Sequence, residues 1–252
     1  MHAWTKTGET SEHPEPWGLY GAFTTMRLFP GGFLSFLDEH LERLLSSAKK
    51  LSLPWIPEQA QLLDHLNEVL GMIPNEDHCL VRLCLFEDLL GIATRPAESD
   101  GNPVEGWLLP HRRPEPSIKS TADQKLYGSL HELDLKSEDW MIIDPKDNDL
   151  RETATSNLIF ADGNNLLIPD NRILKGIVLQ KLKPLLGREF SVTAGRPQDQ
   201  DLSTFSEILL CGTGRGVAPL TSLSELGWSS QSDETFTKIR ALYDQLIESA
   251  RG

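Results

Sequence analysis

The stretch RETATSNLIF, residues 151–160, places one acid at the entrance of a strand. SNLIFAD (156–162) is rich in β-favouring apolar types, and Glu152 stands just ahead of it. Read alone, Glu152 is more readily a solvated loop carboxylate than a site residue. DWMIID (139–144) upstream and LLIP (166–169) downstream read as further strands. Beyond them LKGIVLQKL (174–182) opens a helix from Gly176 to Leu186, then come the strands EFSVTAG and EILLCG and a terminal helix over 232–250. Strands interleaved with helices argue for a mixed α/β or α+β fold.

The first half has the same texture. LYGAFTTMRLF (19–29), the turn Pro30-Gly31-Gly32 and FLSF read as a hairpin. Leu41, Leu44, Leu45, Ala48 and Leu51 then form one apolar stripe at helical period, with Asp38 as its expected cap. A second helix is expected from near Pro57, a strand over 78–86, loop over 87–105 and strand again over 106–109. Residues 1–17 read as loosely held, and 121–133 as helical. PHRRPEPS (110–117) carries three prolines in eight residues, which predicts a linker between a domain over 1–109 and one over 118–252.

Composition narrows the partners. With 24 basic and 37 acidic residues the net charge is −13 over 252 residues, so neither nucleic acid nor an anionic membrane surface is an expected partner. Cys79, Cys84 and Cys211 lie in apolar runs and read as buried free thiols of a reducing compartment. The N-terminal residues lack the apolar core of a signal peptide, and no run reaches membrane-spanning length, so a cytoplasmic protein is expected. No metal-ligand spacing is present.

A small anion is a different matter. GTGRGVAP (212–219) offers three glycines, the Thr213 hydroxyl and the Arg215 guanidinium, though it also suits a tight turn between strands. The N–H groups of Ile177 and Val178 would be free donors at the positive end of a helix, or an ordinary helix start. Arg43 lies at the margin of the apolar stripe, placed either to snorkel or to reach a buried anion.

GAFTTMR (21–27), HLERLLSSAKKL (40–51), Lys119, RETATSNLIF, ILKGI and GTGRGVAP occur in that order. Together they resemble the class IV aminotransferase family of fold-type IV pyridoxal phosphate (PLP) enzymes. The resemblance implies an α+β, D-amino-acid-aminotransferase-like fold with a smaller N-terminal α/β domain and a larger C-terminal α/β pseudo-barrel domain. It implies a homodimer acting on a small molecule. In the family's 4-amino-4-deoxychorismate lyase branch the cofactor lysine and the pyridine-binding glutamate stand 33 positions apart. Lys119 and Glu152 meet that spacing, and Lys125 and Lys136 do not. By the same match Arg43, the N–H groups of Ile177 and Val178, and Thr213 hold the cofactor phosphate.

Each role suits its residue type. A lysine forms a Schiff base and can then act as a general base, a carboxylate keeps a pyridinium protonated, and an arginine and a helix start answer a dianion. GAFTTMR fits the lyase branch better than the branched-chain or D-amino-acid enzymes, and Gln124 stands where branched-chain enzymes carry a tyrosine. The expectation is therefore a lyase releasing pyruvate and 4-aminobenzoate in folate biosynthesis. The alternatives are an aminotransferase of a branched-chain or D-amino acid and a non-catalytic PLP-binding homologue. Thr24 or Thr25 is expected to face substrate, with Arg95, Arg215, Arg112 and Arg113 as candidates for its carboxylates. The chain departs from the family at Tyr20-Gly21-Ala22, at FEDLLGIATR (86–95), at Leu179 in place of an arginine, and at Ala122 and Asp123 in place of an asparagine.

Overall fold

The computed structural model describes residues 2–12 and 14–251, so Met1 and His13 of the expected loose N-terminus, and Gly252, lie outside it. The chain falls into two compact units. The first comprises the residues up to 97, 118–128 and Arg251. Its strands are β1 (His2–Thr5), β2 (Thr10–Ser11), β3 (Ala22–Phe29), β4 (Phe33–Leu34), β5 (Cys79–Leu85) and β6 (Leu89–Pro96). They form one antiparallel sheet in the order β2-β1-β6-β5-β3-β4. The expected hairpin is β3–β4, turned by Gly31 and Gly32 at positive φ, which an L side chain rarely adopts.

Helices α1 (Leu37–Lys50) and α2 (Gln59–Leu70) follow the expected stripes. Leu41, Leu44 and Ala48 of α1 and Leu62 and Leu66 of α2 are fully buried with Met26, Val81, Leu83 and Ile92. Each leucine removed from water there stabilises the fold by roughly 1.5–3 kcal/mol. Asp38 does not cap α1. Phe36, in a left-handed conformation, stands at the cap, and Asp38 and Glu39 lie in the first turn, facing the positive helix end.

Two loop expectations are corrected. Part of 87–105 is β6, and the N-terminus is held by β1, which pairs with β6 and buries Trp4 against His65 with ring centroids 4.3 Å apart. The helix expected over 121–133 shortens to α3 (Gln124–Tyr127), capped by Asp123, and a 3-10 turn over 128–132.

The second unit comprises 98–117 and 129–250. It contains β7 (Val104–Pro110), β8 (Glu138–Ile143), β9 (Leu150–Thr153), β10 (Asn157–Asp162), β11 (Asn165–Ile168), β12 (Ser191–Ala194), β13 (Glu207–Gly212), β14 (Gly216–Leu223) and β15 (Trp228–Ser229), with α4 (Ile177–Glu189) and all but the last residue of α5 (Glu234–Arg251). Strands β10-β13-β14-β7-β8-β9 close into a barrel where Glu152 of β9 pairs with Asn157 of β10. Leu158 and Phe160, Ile208 and Leu210, and Ala218 and Leu220 alternate into its core, the two-residue period of a strand with one packed face. β9 and β14 are strands that periodicity alone missed.

The units divide elsewhere than the prolines suggested. Pro110 ends β7, which lies parallel to β8, and the His111 N–H donates to the Ile143 carbonyl at 3.1 Å, so 110–117 stays with the barrel. Residues 118–128 join the first unit, because the Phe23 N–H donates to the Lys119 carbonyl at 3.0 Å and the Thr121 N–H to the Gly21 carbonyl at 2.9 Å.

Candidate active site

In the first unit, strand β3 and helix α1 bring Thr24, His40 and Arg43 together. His40 and Arg43 are three positions apart on α1 and share a face. Arg43 Nη2 donates to Thr24 Oγ1 at 2.8 Å and lies 3.3 Å from His40 Nδ1, which is 2.9 Å from Thr24 Oγ1. Arg43 Nε is buried without a hydrogen-bond partner, and Arg43 has no carboxylate partner among the described residues. Desolvation lowers its pKa to about 10, opposed by the nearby Tyr127, so at neutral pH it is a half-buried cation. Desolvation, then Arg43 and then Lys119, hold His40 well below the ordinary histidine value of 6.5.

Lys119 emerges beside an aromatic cluster. Its Nζ is 4.6 Å from the Phe23 ring centroid and 5.9 Å from that of Tyr127. Tyr127 stacks on Trp17 at 5.0 Å and meets Phe23 edge-on at 5.1 Å, and the Arg82 guanidinium covers Trp17 at 4.7 Å. Thr24 is fully buried, its hydroxyl taken by Arg43 and His40 rather than open to substrate. Thr25, next on the strand, points to the other sheet face opposite Arg82 and is half-buried. Arg95 is exposed on β6.

In the second unit Glu152 is buried and held from two sides. Oε1 accepts from Arg113 Nη1 at 2.9 Å and Oε2 from the Leu174 N–H at 3.1 Å. Asn157 clasps the approach to α4: its Nδ2 donates to the Leu174 carbonyl at 2.8 Å and its Oδ1 accepts from the Gly176 N–H at 3.0 Å. A Cβ on Gly176 would stand 2.2 Å from that Oδ1, so only glycine fits. No side chain caps α4, and the N–H groups of Ile177 and Val178 open its first turn. Gly212 is tight for a similar reason: its Cβ would lie 2.8 Å from Ser156 Oγ. Thr213 follows, half-buried in the turn between β13 and β14.

Arg215 departs from its expected role. It is buried, its Nε 3.4 Å from Asp139 Oδ2 and its Nη2 donating to the Glu138 carbonyl, so it has an internal counterion. Asp139 also accepts from Thr153 and Thr155, and its burial raises its pKa. Arg112 pairs with Asp144, and Arg113 with Glu152. Asp144, Asp147 and Asp149 approach one another closely enough to hold a cation, but Arg112, Arg151 and Arg172 already pair with them. All three cysteines are buried free thiols, and burial pushes Cys84 up to about 12. No helix among the described residues is long and apolar enough to cross a membrane.

Sequence reasoning missed His40, Asn157, Trp17 and Tyr127, and it offered Arg113 as a candidate for substrate carboxylates rather than as the partner of Glu152. His40 carried a usable signal, its three-residue spacing from Arg43. Arg113 lay in the supposed linker, 39 positions from Glu152.

A closed barrel that places a carboxylate at its seam, beside an uncapped helix start, defines an architecture with known relatives. The class IV amino-transferase family matches residues 21–223, and the chain belongs to it. It is similar to the aminodeoxychorismate lyase of Bacillus subtilis (strain 168), 25% identical over an alignment of 259 positions that covers 90% of this chain and 86% of the relative. Its fold is similar to the branched-chain aminotransferase of Thermoproteus uzoniensis, with a TM-score of 0.81, 18% identity, and 99% and 95% of the two chains covered. It is also similar to a hypothetical aminotransferase from Mycobacterium tuberculosis in its PLP-bound form, with a TM-score of 0.78, 19% identity and 99% of each chain covered.

Proposed function

We propose that the protein is a PLP-dependent 4-amino-4-deoxychorismate lyase, which releases pyruvate and 4-aminobenzoate. The observation that carries the cofactor reading is Arg43: a guanidinium desolvated on a helix, oriented by a hydroxyl and an imidazole, with no carboxylate among the described residues to neutralise it. Such a group fits a phosphate dianion, as do the uncapped N–H groups of Ile177 and Val178 and the Thr213 hydroxyl. Glu152, oriented by Arg113 and the Leu174 N–H, fits a pyridine nitrogen that must stay protonated. Bound PLP supplies an electron sink for the carbon that carries the substrate amine.

Lys119 would hold the cofactor through its Nζ. Once free, that Nζ would take the proton from the amine-bearing ring carbon. The enolpyruvyl group then departs from the neighbouring carbon and gains a proton on its methylene to become pyruvate, while the ring becomes aromatic. The rings of Phe23 and Tyr127 limit the positions open to Nζ and keep water from that side.

The first motif, GAFTTMR, and the B. subtilis relative favour the lyase. Arg215, committed to Asp139, drops out of the substrate set, and Thr25 and Arg95 remain in it. The second reading, an aminotransferase of a branched-chain or D-amino acid, is favoured by the fold neighbours. A side-by-side assay separates the two. Pyruvate from aminodeoxychorismate supports the lyase, and keto acid from an L- or D-amino acid without pyruvate release replaces it. A protein that stays colourless with added PLP overturns both. Size-exclusion chromatography with light scattering tests the proposed homodimer.

A further inference from the structure

The Thr24–His40–Arg43 cluster contains more than a phosphate ligand. Arginine can only donate, so the ring nitrogen facing Arg43 Nη2 must accept. Thr24 Oγ1 receives a hydrogen from Arg43, which leaves its own hydrogen for His40 Nδ1. The hydrogen-bond directions therefore agree in one arrangement only: Arg43 to Thr24, Thr24 to His40, and the imidazole proton on Nε2. That Nε2 is buried with no partner among the described residues, so the ring is held by its other nitrogen and by packing.

We propose that His40 is a positioning residue for Arg43, an uncharged acceptor that orients the guanidinium toward the cofactor phosphate while leaving its charge unspent. A carboxylate in the same place would orient Arg43 as well, but would neutralise it. An imidazolium would repel it and turn an N–H toward it. Burial beside Arg43 and Lys119 keeps the ring neutral. The charged or titratable groups facing this ring and its arginine are Lys119 from the segment before α3 and Tyr127 from α3. This inference rests on the PLP reading above.

The test compares wild type, His40→Leu, which has no acceptor, and His40→Asn, whose side-chain oxygen falls near the position of Nδ1. Apoprotein affinities for PLP and for pyridoxal, the same aldehyde without the phosphate, are read by absorption titration. Inorganic phosphate is tested separately by thermal shift. His40→Leu is expected to weaken PLP at least tenfold, leave pyridoxal within about twofold, and abolish the phosphate shift. His40→Asn is expected to recover PLP affinity to within about threefold of wild type. Thr24→Val breaks the same relay without touching the ring, and should give the same selective loss if His40→Leu fails to fold. Equal weakening of PLP and pyridoxal, or no weakening while Arg43→Ala loses PLP, overturns the positioning role alone. Wild type that binds neither PLP nor phosphate overturns both the role and the reading beneath it.

Discussion

The two units treat arginine in opposite ways. In the barrel unit buried or half-buried guanidinium groups find carboxylates: Arg113 with Glu152, Arg151 with Asp149, Arg215 with Asp139, Arg240 with Asp100. In the first unit two of them rest on a ring or on neutral acceptors: Arg82 on Trp17, and Arg43 on Thr24 and His40. An internally paired arginine braces the fold, and removal of its partner leaves a buried charge. An arginine on neutral groups keeps its field for something else, here the proposed phosphate.

The contrast can be broken by mutation. The largest effect is expected at the lysine of the first unit: Lys119→Ala should lower turnover on the order of 10⁴-fold, about 5 kcal/mol, and remove the visible absorption band. Next comes the paired side. Asp139→Ala should destabilise the protein by about 3–5 kcal/mol in denaturant unfolding, because Arg215 is left buried without its counterion. Arg43→Ala should do the reverse, leaving apoprotein stability nearly unchanged while PLP affinity falls on the order of 10- to 100-fold, or about 1.4–2.8 kcal/mol. If Arg43→Ala destabilises the apoprotein as much as Asp139→Ala does, the contrast fails. Gly176→Ala, which drives a Cβ into Asn157, should cost about 1–3 kcal/mol and weaken PLP with it.

The smallest effect concerns pH. The folded His40 ring refuses a proton that the unfolded ring accepts below its ordinary value of 6.5, so stability from this group falls as pH drops below about 6.5. The slope is at most about 1.4 kcal/mol per pH unit. Urea unfolding of wild type and His40→Asn across pH 5–8 should show a shallower decline in the variant. Identical slopes would mean that the ring already titrates normally.

Helical periodicity made α1 and α2 legible, and alternation with apolar runs did the same for β5, β10 and β13. β9 was not, because its four residues, LRET, are all buried yet two are charged, and the pattern that marks a strand assumes that buried means apolar. β14 hid behind its Pro219 and the glycines before it, and β6 behind Gly91 and an exposed end. In the candidate site, motif order pointed to Lys119, Glu152 and Arg43 as the proposed cofactor residues. Partnerships were not readable, because Arg113 with Glu152 and Arg215 with Asp139 are separated by 39 and 76 positions and arise only on barrel closure. Which of Thr24 and Thr25 faces inward is not legible in one sequence, because neither the strand's faces nor the approach of His40 can be assigned there.

The barrel closes at the Glu152–Asn157 pair, and those same two residues hold the proposed pyridine contact and the entrance to α4. Completing the ring also requires β7 to reach β14, a partner more than 100 residues away in the chain. Such long-range pairing is slow to form. Assembly of the seam and acquisition of ligand affinity by the barrel are thus one kinetic event. In a refolding experiment, the recovery of PLP absorbance would time the closing of the seam, and added cofactor would draw late, open-barrelled chains toward the native state by mass action.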